Sequence, residues 1–248
     1  MKVLFLLALP LLAVEDPYSY MRAGSADDVL TTGTGGTVLM GGGRDVDAAF
    51  GWMIDGSGNG DVLVLRARGM DAYNPYILKQ GAANSAATLI VRSREAAGDE
   101  FVVDKIRHAE AVQERIDAGY PVGGTSAGLA VLGEYYFSAE FDTVTSAEAM
   151  ADPESKKVAL GRDFLKIRHL ENLITDSHFT AREREGRLEV FMKKIGVAAI
   201  VGLGIDEATA VLLSADGRAK VVGKGKAHVH APGKPPRHFA AGEAVLFR

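Results

Sequence analysis

Ser126 stands in the run Pro121-Val122-Gly123-Gly124-Thr125-Ser126-Ala127-Gly128-Leu129-Ala130, where an apolar segment passes through Gly-x-Ser-x-Gly into small, helix-compatible residues. That is the pattern of a nucleophile elbow, a tight strand-to-helix turn that lifts a hydroxyl clear of a sheet. Glycines on either side of the serine are expected where the backbone leaves no room for side chains. The Ala127 N–H is then placed to donate to an oxyanion. A serine hydroxyl needs a base. Among six histidines, His178 follows the apolar run Asn172-Leu173-Ile174-Thr175 and precedes a helical stretch, so it shares the carboxyl end of a sheet with Ser126. His108 on a charged helix face and His169 beside Arg168 read as solvated. His228 and His230 alternate on one face of a strand and could bind a metal, but no third ligand is evident. The expectation is therefore an exposed strand face and no metal site.

The base needs an orienting carboxylate. Asp206 and Glu207 lie in the Gly-rich turn after an apolar strand, and Glu148 is a competitor from the loop after the serine helix. Arg182, Arg184 and Arg187 interleave with Glu183, Glu185 and Glu189. In the first turns of a helix these cations oppose the dipole by about 0.3–1 kcal/mol each. They are either a solvated face or a site for substrate carboxylates, which the bidentate guanidinium fork suits. A separate arrangement, an α/β-hydrolase esterase, would use Ser126 with Asp206 and a later histidine such as His228.

Elements must carry these groups to one place. Strand-like runs fall at Thr37–Met40, Val62–Leu65, Thr88–Val91, Pro121–Gly123, Asn172–Thr175, Ala198–Val201, Ala210–Leu213 and Lys220–Val222. Helical patterns lie at Asp45–Ile54, Val103–Ala118, Ala127–Leu132 and Ala181–Ile195. Alternation of the two predicts an α/β fold with a mainly parallel sheet covered on both faces. Turns at Ala215-Asp216-Gly217 and Gly223-Lys224-Gly225 predict antiparallel hairpins at one edge. Thr180 with Glu183 reads as a capping box for the helix at Ala181–Ile195, whose Leu188, Phe191, Met192 and Ile195 form an apolar stripe and whose stop is Gly196. Ligands of parallel sheets bind beyond the carboxyl ends of strands, where Ser126 and His178 both fall.

The 248 residues carry a net charge of −4, 47% apolar and 24% charged residues, and 29 glycines without a fixed period. These proportions exclude a disordered or collagenous chain, and the charge argues against a nucleic-acid partner. The absence of cysteine excludes disulfides, thiolate metal sites and a cysteine nucleophile. Lys2, the apolar run Val3–Val14 and the pair Glu15-Asp16 read as a secretory leader over residues 1–14. The run is too short to span a bilayer. A single domain would occupy 15–248, in a secreted or periplasmic setting.

GGTSAG at 123–128, DSHF at 176–179 followed by R-x-R-x-x-R at 182–187, GIDEATA at 204–210 and VLMGGG at 38–43 occur in that family's order and resemble the cyanophycinase and aspartyl dipeptidase family of serine peptidases. The likeness is greatest to the exported cyanophycinase-like members and covers nearly everything after the leader. It implies a flavodoxin-like three-layer α/β sandwich of the class I glutamine amidotransferase type. It also implies hydrolysis at β-aspartyl residues, a homodimer and no cofactor. Carried over by position, it implies Ser126 as nucleophile, His178 as base and Glu207 as orienting carboxylate. It further implies Asp176, Ser177, Arg182, Arg184 and Arg187 as substrate-binding. Two departures stand out. Ser177 replaces the Gln usual in cyanophycinases. The chain also runs from Ala109-Glu110-Ala111-Val112 straight into Gln113-Glu114-Arg115-Ile116. Against the family it thus lacks most of one strand–turn–helix unit, the one with a Gly-Gly-Asp-Gln turn, on the order of two dozen residues. In the family that turn supplies the second oxyanion donor and a substrate-binding Gln. A catalytically impaired binding protein on the same scaffold is the other reading this leaves open.

Overall fold

Val38, Leu39 and Met40 follow one another without a polar break, and all three are buried. A strand built that way has to be covered on both faces. The computed structural model, which describes residues 16–93 and 112–247, covers it with helices on one side and a second sheet on the other.

In chain order the first elements are β1 (Tyr18–Gly24), β2 (Thr37–Met40), α1 (Asp47–Gly56), β3 (Asp61–Arg66), α2 (Tyr73–Gln80) and β4 (Ser85–Val91). After residue 111 come α3 (Val112–Asp117), β5 (Val122–Thr125), α4 (Ala127–Ala130), β6 (Tyr135–Phe137), α5 (Ser146–Ala151) and β7 (Leu160–Arg162). The last part holds β8 (Leu173–Asp176), α6 (Glu185–Ile195), β9 (Val201–Ile205), β10 (Thr209–Leu213), β11 (Ala219–Gly223), β12 (Lys226–His230), β13 (Arg237–Ala240) and β14 (Ala244–Val245).

These strands form three sheets, in the orders β1-β4-β3, β14-β11-β10-β2-β5 and β13-β12-β9-β8-β6-β7. Side chains alternate between faces with period two. In β2, Leu39 joins a core shared with Leu173, Leu203, Val211 and Val229 of both larger sheets, whereas Val38 and Met40 join Phe50, Ile54 and Ile77 under α1 and α2. On the far side of the third sheet, Ile174 packs with Phe179, Leu188 and Phe191 of the α6 region. Each fully buried aliphatic or phenyl side chain contributes about 1.5–3 kcal/mol relative to exposure.

Several expectations are corrected here. The architecture is mixed α/β, but the sheets are not mainly parallel: of eleven pairings among the described residues, only β2–β5, β3–β4, β6–β8 and β8–β9 are parallel. Parallel neighbours need long crossovers, and the short connections that follow β9 do not supply them. The turn at 215–217 does close the β10–β11 hairpin. The turn at 223–225 does not close one, because β11 and β12 belong to different sheets. Of the helix expected at Val103–Ala118, only α3 lies within the described residues. The leader at 1–14 and His108 lie outside them.

α6 begins at Glu185, four residues later than its sequence pattern suggests. Thr180 is no cap, since its own N–H is taken by Asp206 Oδ1 at 3.1 Å and Glu183 sits at φ +50°. The capping box forms instead at α5, where Thr145 Oγ1 accepts from the Glu148 N–H at 3.2 Å and Glu148 Oε2 accepts from the Thr145 N–H at 2.8 Å. Glu148 is thus committed to a helix end. Gly196 closes α6 in the left-handed region at φ +69°. Gly196→Ala is expected to cost roughly 1 kcal/mol in urea unfolding, from backbone strain alone, because nothing but Lys193 O at 3.8 Å would approach the new methyl.

Candidate active site

The turn after β2 organises the site. Three successive carbonyls, those of Met40, Gly41 and Gly42, accept the N–H groups of Ser126 at 3.3 Å, His178 at 2.7 Å and Ala208 at 2.9 Å. One glycine turn thereby gathers the loops that follow β5, β8 and β9. Gly41 must be glycine, since a Cβ there would overlap the Asp206 carbonyl. A Cβ on Gly42 would lie 2.6 Å from His178 Nε2 and 3.1 Å from Ser126 Cβ. The signal for this hub was three consecutive glycines behind a buried strand, yet no chemical role attaches to them from sequence alone.

Ser126 occupies φ +53° and ψ −115°, between β5 and α4. A non-glycine residue held there stores on the order of 1–3 kcal/mol and needs a rigid frame. The frame includes Gly124, whose Cβ would collide with Gly128 O. Gly128 itself faces open space, so the expected need for glycine on both sides of the serine applies to Gly124 only. Thr175 Oγ1 donates to Leu129 O at 2.8 Å and ties β8 to α4.

This frame brings three predicted residues into a row. Ser126 Oγ lies 2.9 Å from His178 Nε2, and His178 Nδ1 lies 2.6 Å from Glu207 Oε1. The imidazole is buried, while the Glu207 side chain is 45% exposed. The Ala127 N–H stands at the start of α4, next to Ser126. Such a row can move a proton from the hydroxyl to Nε2 while the carboxylate holds the ring from behind.

Asp206 turns the other way. Its carboxylate accepts the Thr180 and Lys226 N–H groups at 3.1 and 3.0 Å and pairs with His228 Nε2 at 3.1 Å. Burial pushes its pKa up, but hydrogen bonds from Thr180, His228 and the backbone outweigh this and hold it below the usual carboxylate range. His228 Nδ1 meets His238 Nδ1 at 2.8 Å, and both rings border a cleft of about 570 Å³ with Lys224 and Lys226. The esterase arrangement of Ser126, Asp206 and His228 is not assembled: His228 Nε2 meets Asp206, its Nδ1 meets His238, and Ser126 Oγ meets His178 instead. Nor are His228 and His230 an exposed strand face: both are buried, with Phe179 packed against their rings at 5.0 and 5.6 Å. His169 is half-buried, with Nε2 at 3.1 Å from Ala215 O.

The arginines divide. Arg187 is 3% exposed; its Nε and Nη2 reach the two Asp176 oxygens at 2.7 and 2.6 Å, and Phe137 and Phe191 flank the guanidinium. Arg184 Nη1 donates to Asp176 Oδ1, Ser177 O and Ser177 Oγ at 3.0, 2.9 and 3.1 Å. Burial lowers the Arg184 pKa, and its arginine neighbours lower it further against the pull of Asp176. Asp176, Ser177 and Arg187 are thus buried and occupied with one another, which corrects the expectation of an open arginine row on the first turns of a helix. Arg182 and Arg184 precede α6, and Arg182 alone of the three is exposed.

No family model matches the chain. Among curated proteins, the cyanophycinases of Trichormus variabilis and of a Nostoc species are each 30% identical over 128 residues, 50% of this chain and 38% of theirs. That of Synechococcus elongatus is 32% identical over 117 residues, 45% of this chain and 31% of its own. The chain is similar to the cyanophycinases. The match spans less than half the length of these cyanophycinases. Among solved structures, the crystal structure of a peptidase from an acI-B1 actinobacterium aligns with a TM-score of 0.55 at 18% identity, over 87% of this chain and 98% of that one. The peptidase shares the fold, and the cyanophycinases share about a third of the residues over roughly half of this chain.

Proposed function

We propose that this chain is a serine-type peptidase that hydrolyses β-aspartyl peptide bonds, in β-aspartyl-arginine polymers like cyanophycin or in other aspartyl peptides. The observation that carries it is the row from Ser126 Oγ through His178 to Glu207. In this reading His178 Nε2 takes the hydroxyl proton as Ser126 attacks the scissile carbonyl, and Glu207 stabilises the imidazolium. The Ala127 N–H donates to the oxyanion. Collapse expels the amine, which takes its proton from His178, and water then releases the acyl group by the same steps in reverse roles. Arg182 and Arg184 attract the carboxylates of an aspartyl substrate, with Asp176, Ser177 and Arg187 holding Arg184 in place. The cyanophycinase similarity and the peptidase fold support the substrate class. Export through a leader over residues 1–14 belongs to the same proposal; among the described residues no helix is long and apolar enough to cross a membrane.

A fluorophosphonate probe tests the mechanism without presuming a substrate. Labelling that maps to Ser126 and disappears in His178→Asn is expected. An unlabelled, folded chain would instead favour a binding protein on this scaffold. Gly42→Ala checks the hub. Its methyl would press on the imidazole, and a displacement near 1 Å at a reacting group costs about 10²-fold. Labelling rate should fall by that order while the circular dichroism spectrum stays unchanged.

A further inference from the structure

His230 ends β12 with 4% of its surface exposed, and its Nε2 is buried with no hydrogen-bond partner among the described residues. A buried imidazole nitrogen left so lowers fold stability until something pairs with it. Glu185 and Glu189 stand one turn apart on α6 and are exposed. One oxygen from each and one His230 ring nitrogen all lie within 4.8 Å of one another.

We propose that Glu185, Glu189 and His230 form a binding site for one divalent transition-metal cation of the Zn²⁺ type. One imidazole and two carboxylates, with a fourth position left to water, are a donor set for such a cation and a poor one for Ca²⁺ or Mg²⁺, which prefer oxygen alone. Zn–N and Zn–O bonds near 2.1 Å place tetrahedral ligands about 3.4 Å apart. Two exposed glutamates with free side-chain torsions can close the remaining distance, while the buried histidine supplies the fixed point. Burial lowers the His230 pKa against the pull of Glu185 and Glu189, with His228 and His238 acting in the same sense as burial. Sequence spacing around His228 and His230 reveals no third ligand because two of the ligands belong to a helix some forty residues earlier.

The consequence is a staple. The cation would tie α6 to β12 across Phe179, which packs on His230 and directly follows His178. The site is separate from the Ser126 row, and the proposal stands whether or not the chain is a peptidase.

The test is isothermal titration of untagged, chelator-stripped full-length chain with ZnCl₂ near pH 7, with thermal unfolding in parallel. One saturable equivalent and a rise in Tm that grows with Zn²⁺ are expected. In Glu185→Gln/Glu189→Gln, both changes being on the surface, affinity should fall by more than about tenfold and the Tm rise should vanish. His230→Asn should do the same. Absence of binding to the native chain overturns the proposal. So does full binding by the glutamine double variant, and if that binding is then lost in His238→Asn the cation belongs to the cleft beside Asp206 instead.

Discussion

Ser126→Ala is expected to abolish hydrolysis of β-aspartyl-arginine, lowering turnover on the order of 10⁶-fold, and to leave the fold intact. Among the described residues the side chain makes one hydrogen bond, to His178 Nε2, and gives no cap to α4, so its removal takes away chemistry without taking away structure. Alanine also tolerates the backbone of the elbow no worse than serine does. Glu207→Gln should cost less, about 10⁴-fold, by presenting the wrong partner to Nδ1 and so favouring the wrong tautomer. Because the three residues act as one unit, the double variant should be scarcely slower than Ser126→Ala. Release of free amine from the dipeptide, followed beside circular dichroism, measures both. A Ser126→Ala chain that turns over substrate at the native rate excludes the mechanism.

Asp176→Ala should be the most destabilising single change, by about 3–5 kcal/mol in urea unfolding. The residue is 4% exposed and, among the described residues, is the one acidic partner of the buried Arg187, as it is of Arg184. Without it two guanidiniums face each other unscreened, one of them 3% exposed between Phe137 and Phe191. The loss comes from the stranded charges and not from a net gain by the pairs, so the double variant Asp176→Leu/Arg187→Met should recover the part that belongs to Arg187, leaving the part that belongs to Arg184. A midpoint that barely moves in Asp176→Ala, with an unchanged m-value, would show that Arg187 finds water or another partner. Since Ser177, His178 and Phe179 follow Asp176 directly, activity should fall with stability.

The features read most directly from sequence are local ones. The elbow at Ser126 needs only a strand, two small residues and a helix start, all within ten positions. β2 and β10 are short apolar runs whose burial leaves no other state open to them. Gly196 stops α6 by its own backbone freedom. The choice between Asp206 and Glu207 was not readable in this way. Adjacent residues of a tight turn point apart, and which one meets His178 depends on where the turn lies against β2. The resemblance to a family names Glu207, and it is Glu207 Oε1 that lies 2.6 Å from His178 Nδ1. An interleaved Arg/Glu pattern looks the same on a helix face as on the loop before it, and here Glu183 sits at φ +50° and the helix begins only at Glu185. Glu148 is likewise committed by a capping box with Thr145, a pairing that shows only once the helix start is known.

Sequence by itself determined the residue types that could react, the elements just before them and the absence of thiol chemistry, because these depend on neighbours within a few bonds. The tertiary structure alone decided that sheets pair mostly antiparallel, that Asp176 and Arg187 are interior, and that His230 faces two glutamates from another element. Each of those depends on contacts between segments dozens of residues apart. Long-range packing sets them, and no local periodicity carries their trace.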